Sequence, residues 1–94
     1  MKVYASDEVP NEVVEEKTGK VIEDISQGGE VLFDITEGKV GEYVTALVKP
    51  DFLYSVVSVS INGEEYAELS EDGQYKFYLV EGDNVFKVVF TVFT

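Results

Sequence analysis

The amino-acid sequence predicts a single all-β domain, a small sandwich or barrel of about seven strands. Three observations carry this. Apolar and polar residues alternate with period two from Lys20 onward, turn signals punctuate the alternation at short spacing, and no helical pattern stands between the strands. With 94 residues, 45% of them hydrophobic, the chain suffices for one domain with one core and not for two. Residues 1–19 hold an N-terminal edge strand and an unassigned segment, and residues 20–94 form the β core.

Taken in order, Val3 to Ala5 reads as the edge strand. Pro10 to Lys17 fits one or two helical turns, with Val9, Val13 and Lys17 four apart and Gly19 as the stop, but Val13-Val14 equally favours strand. Val21 and Ile25 belong to the next strand. Val31, Phe33 and Ile35 alternate with Leu32, Asp34 and Thr36 until Gly38 and Gly41 break the run. Glu42 to Lys49 follows and ends at Pro50, which has no N–H to give a ladder and forces Lys49 extended. Phe52, Leu53 and Tyr54 are expected to form a corner plugging one end of the core. Val57, Val59 and Ile61 alternate with Ser58 and Ser60 into Asn62-Gly63, a strong hairpin signal because a type I′ turn needs positive φ at both central positions. Glu64 to Leu69 returns as a charged strand, Asp72-Gly73 turns, and Tyr75, Phe77 and Leu79 make the next inward stripe. After the turn Glu81 to Asn84, the longest strand runs from Asn84 to Phe93. Its stripe Phe86, Val88, Phe90 and Val92 is apolar, with Val85, Val89 and Phe93 on the other face, predicting a central strand covered on both sides. The expected core is Val31, Phe33, Ile35, Val57, Val59, Ile61, Tyr75, Phe77, Leu79, Phe86, Val88 and Phe90. Alternation places Tyr66 and Tyr78 outward.

Composition narrows the chemistry. There is no Cys, hence no thiol nucleophile, disulfide or thiolate metal site. There is no His, the usual general base and the commonest metal ligand, and no Arg to clamp phosphates or carboxylates. The sequence therefore predicts no enzyme, no cofactor and no metal. Seven Lys against nineteen acids give a net charge of -12, which predicts that nucleic acid and anionic membranes are not partners and that a partner chosen by electrostatics is basic. No apolar run reaches the roughly 18 residues of a membrane span, and Met1-Lys2-Val3-Tyr4 does not open a signal peptide. The expected location is a virion or a host cytoplasm.

Several stretches resemble a known kind of module. They are Val44-x-Ala46-x-Val48-Lys49-Pro50-Asp51 followed by Tyr54, then Val57-Ser58-Val59 leading to Asn62-Gly63, Gly73-x-Tyr75-x-Phe77-x-Leu79, and Val85-x-Lys87-Val88-Val89-Phe90. Together they resemble the divergent repeat modules of bacterial surface proteins, relatives of the listerial internalin repeats, and the immunoglobulin-like modules of phage structural proteins. The resemblance covers about two-thirds of the chain. It implies an immunoglobulin-like sandwich, with a related small β-barrel or β-grasp-like fold as alternatives, and a role as stalk, spacer, adhesion or decoration domain. It brings no catalytic residue. The chain departs from the pattern in being a single copy, in lacking an export signal, and in having no Trp for the Gly-x-x-Trp that often follows the tyrosine corner. A phage product fits these departures better than a cell-wall one.

Two candidate surfaces follow. At the termini, Val3 and Tyr4 lie in a short strand with no charge between Lys2 and Asp7, Val92 and Phe93 have no acidic gatekeeper after Asp83, and unblunted edge strands pair with neighbours. They are the expected contact residues of an assembling or decorating module, brought near one another by the fold. The second surface is acidic: Glu64, Glu65, Glu68, Glu71 and Asp72 surround one hairpin. If functional, it makes the protein a cytoplasmic inhibitor that imitates the charge density of nucleic acid and binds a basic host protein. The plainer reading is a solvated face that keeps a small β-domain soluble.

Overall fold

The computed structural model describes residues 16–92 and is all-β, with eight strands in two sheets and no helix among those residues. The strands are β1 (Thr18–Ile25), β2 (Gly29–Phe33), β3 (Glu37–Lys39), β4 (Tyr43–Pro50), β5 (Tyr54–Ile61), β6 (Glu64–Glu65), β7 (Gln74–Tyr78) and β8 (Gly82–Val92). One sheet has the order β3-β1-β8-β5-β6 and the other the order β2-β4-β7. All pairings are antiparallel except β1 with β8, which run parallel from Gly19↔Gly82 to Ile25↔Val88. The two sheets face each other as a small sandwich.

The core lies between them. Val44, Ala46 and Val48 of β4, Tyr75 and Phe77 of β7, Leu79 and Val31 meet Val59, Phe86, Val88 and Phe90 of the larger sheet. Phe86 is the hub, fully buried, with the rings of Phe33 and Phe77 at 5.5 and 5.6 Å and Tyr75 at 6.3 Å. Ring centroids at these separations add attraction beyond area burial alone. Of the expected core, Phe33, Ile35 and Ile61 are only half-buried and pack on its margin, while Val44, Ala46 and Val48 form a buried stripe that belongs in the core.

Four expectations are corrected. Val57 is not core: it stands 52% exposed because a bulge interrupts β5 there, Val56 facing Phe90 and Ser58 facing Val89. The extra residue shifts the phase, so Val56 and Val59 both point inward and Val57 points out. At the β4–β5 corner only Tyr54 packs on the core. Phe52 is 88% exposed and Leu53, at φ 70°, is also exposed, so neither plugs the sandwich. The strand expected over Glu64 to Leu69 stops at Glu65, so alternation no longer governs Tyr66, which folds back against the Tyr75 ring at 4.9 Å. Tyr78 is outward as expected. Finally, Gly19 ends no helix. It lies in β1, where a Cβ would run into the carbonyl oxygen of Val80.

β8 is central, flanked by β1 and β5, as the sequence predicts. Its outer face is not covered by another layer of described residues: Val85 and Val89 are half-buried and Lys87 is exposed. The readings for Val3 to Ala5 and for Pro10 to Glu15 lie outside the described residues.

Candidate functional site

The polar side chains that the fold organises most tightly serve the backbone. Asn84, fully buried, accepts from Val80 N–H at 2.9 Å through Oδ1. Its Nδ2 donates to the carbonyls of Lys20, Val80 and Gly82 at 3.0–3.1 Å, stitching β1 to the turn between β7 and β8. Asn62 does similar work across the sheet. At φ 51° it forms the hairpin turn with Gly63, and it accepts from Val85 N–H at 2.8 Å while donating its own N–H to Val85 O. Asp34 Oδ1 accepts from Ile35 N–H and Thr45 N–H, both at 2.8 Å, closing the end of β2 on β4. Ser26 Oγ accepts from Phe90 N–H at 2.8 Å. Each satisfies backbone groups that would otherwise be lost at strand ends.

The acidic residues divide by role. Asp72 caps its own turn, accepting from Ser70 Oγ at 2.5 Å and Gln74 N–H at 3.1 Å. The Ser70 hydroxyl, then the Gln74 N–H, hold its carboxyl below the ordinary Asp range. Glu64 and Glu65 lie on β6, the edge strand, and Glu68 and Glu71 follow in the loop to β7; all four are exposed. None of these five acids forms a salt bridge among the described residues, where the ion pairs are Lys17–Glu81, Lys20–Asp83 and Lys39–Glu16. Nor does any group of three acids converge there to hold a metal ion. Burial, and then the neighbouring Tyr75, push the Tyr66 hydroxyl above its ordinary value; that hydroxyl donates to Lys76 O at 3.3 Å.

Two open grooves mark the surface. The larger, about 440 Å³, lies where Thr18, Gly19 and Lys20 meet Glu37, Gly38, Gly82 and Asp83. Its charged side chains are exposed, with Lys20 Nζ 3.9 Å from Asp83 Oδ1. The second, about 350 Å³, runs between Val48, Pro50, Val56 and the loop Leu69–Gly73.

Of the four terminal contact residues, Val3, Tyr4 and Phe93 lie outside the described residues. Val92 ends β8, exposed, and pairs with Tyr54. That register sets it beside the β4–β5 corner, where Phe52 and Leu53 are exposed. Sequence reasoning missed this companionship because it read Phe52 and Leu53 as core. The positive φ of Leu53, a conformation that branched side chains rarely adopt, is not written in the residue type. No helix among the described residues is long and apolar enough to cross a membrane. Searches against protein-family models, curated proteins and solved structures find no match to this chain.

Proposed function

We propose that the protein is a non-enzymatic structural or decoration module, of immunoglobulin-like type, acting in a phage virion or a related surface assembly. The observation that supports this reading is the apolar end of the sandwich, where exposed Phe52 and Leu53 stand beside Val92 at the end of the central strand. A Phe left almost wholly in water on an otherwise acidic domain is the kind of anchor that buries in a partner's pocket. Its contacts are apolar and main-chain, so they persist in salt. The test is co-sedimentation of the protein with particles across a salt series, wild type against Phe52→Asp. The proposal expects wild-type binding to hold in moderate salt and the variant, still folded, to lose it. Equal binding by the two overturns it.

A second reading rests on the exposed acids Glu64 and Glu65 of the edge strand β6 and Glu68 and Glu71 of the loop that follows it. In it the protein is an inhibitor in a host cytoplasm, binding a basic protein as nucleic acid would. That binding falls steeply as salt rises and does not depend on Phe52.

A further inference from the structure

The two sheets end in the edge strands β3, β6, β2 and β7, and they differ in what their free sides offer. β6 is two glutamates long, and β3 is three residues whose Lys39 N–H is taken by Glu42 Oε1. Short, charged edges of this kind resist pairing. On β7 the ladder bonds Val48 N–H to Gly73 O and Leu79 N–H to Glu42 O fix the alternation. Gln74, Lys76 and Tyr78 therefore turn their main-chain groups outward. There Asp72 Oδ1 accepts the Gln74 N–H at 3.1 Å and the Tyr66 hydroxyl donates to Lys76 O at 3.3 Å, so side chains of the domain already occupy that edge.

β2 is different. Asp34 N–H donates to Thr45 O at 3.1 Å and Asp51 N–H to Gly28 O at 2.8 Å, so by alternation Glu30 and Leu32 also bond to β4. Gly29, Val31 and Phe33 then aim N–H and C=O away from β4, where they meet no hydrogen-bond partner among the described residues. Val31 is only 6% exposed, and main-chain groups so placed are normally paired. We propose that β2 receives an extended segment of another protein, rich in lysine or arginine, as a further strand of this sheet. Main-chain bonds to Gly29, Val31 and Phe33 hold it. Its chemistry follows from the outer row of β2, where exposed Leu32 stands between exposed Glu30 and Asp34. Opposite charges directly across a ladder attract and like charges cost, so the segment's outer row reads basic, apolar, basic. On the inner side, Val31 and half-buried Phe33 ask for apolar neighbours. The net charge of -12 draws such a segment and repels a second copy of the chain. Both functional readings place their contacts elsewhere, at Phe52 and at β6, so the inference stands whichever of them holds.

The test is nuclear magnetic resonance on the full chain, titrated with the end-capped heptapeptide Thr-Lys-Val-Leu-Val-Lys-Thr. Amide shifts should concentrate at Gly29, Val31 and Phe33, and hydrogen exchange at these three should slow as peptide is added. The acidic control Thr-Glu-Val-Leu-Val-Glu-Thr should leave them unchanged. Glu30→Lys, at an exposed site, should keep the amide pattern of the sheet and weaken the basic peptide roughly two- to fivefold. No shift at millimolar peptide, shifts centred on Phe52 or β6, or an equal response to both peptides overturns the proposal. Slow exchange at the three amides before any peptide is added overturns it too, and where that protection fades on dilution the occupant is a second copy.

Discussion

At the residue scale, Asn84 shows how much depends on one polar group in an apolar core. Its amide serves four backbone partners, and an unpaired buried polar group costs about 1–3 kcal/mol. Asn84→Ala orphans Val80 N–H and removes the link to β1, so denaturant unfolding should show a loss of at least about 2 kcal/mol. Phe90→Ala should cost about 3–5 kcal/mol by cavity formation, its ring being buried against the Gly28–Gly29 backbone. Asp72 gives a titration test. Its carboxyl is lowered in the folded state, so its contribution is present above the unfolded pKa and is lost as pH falls through the folded one. Ser70→Ala should raise the Asp72 pKa toward the ordinary value, read by carbon-13 titration of the side chain. Only some of this was legible in the sequence. The stripe from Phe86 to Phe90 announces itself by alternation, and Asn62-Gly63 by its residue types. Asn84 hides because a polar residue beside a Gly turn reads as part of that turn, and the burial that makes it structural arises only when β1 arrives from the far end of the chain.

At the scale of the element, β5 is the instructive strand. Its bulge was invisible because the inserted residue is Val57, an apolar β-former that continues the pattern Val57, Val59, Ile61 without a break. A Gly there would have signalled it. The sandwich was legible because stripes on both sheets share one period. The pairing order was not, since nothing local tells β1 to run parallel to β8. The bulge predicts an asymmetry in deletions. Removing Val57 leaves Val56 facing Phe90 and Ser58 facing Val89, so the inward set of β5 is kept and the protein should stay folded by circular dichroism. Removing Thr45 from β4 reverses the facing of Val44 or of Ala46 and Val48, and should abolish folding.

For the whole molecule, charge and shape act together. Nineteen acids against seven lysines make the folded state repel itself, and the three ion pairs among the described residues are exposed and contribute little. Raising salt from about 10 to 150 mM shortens the screening length from about 30 to 8 Å, so the thermal midpoint should rise over that range. A midpoint that falls instead would mean that the surface pairs matter more than the net charge.

The parallel pairing of β1 with β8 has a mechanical consequence. Because the strands run the same way, the chain enters β1 beside Gly82 and leaves β8 at the opposite end of the ladder. Tension between residues 16 and 92 therefore slides one strand along the other, loading every pair from Gly19↔Gly82 to Ile25↔Val88 at once. The β5–β6 hairpin, pulled from its two ends, would instead open one bond at a time. The domain should yield abruptly at high force when stretched along its own chain, and at low force when pulled through an attachment at Glu65. Such a clamp resists strain along the chain without a covalent cross-link.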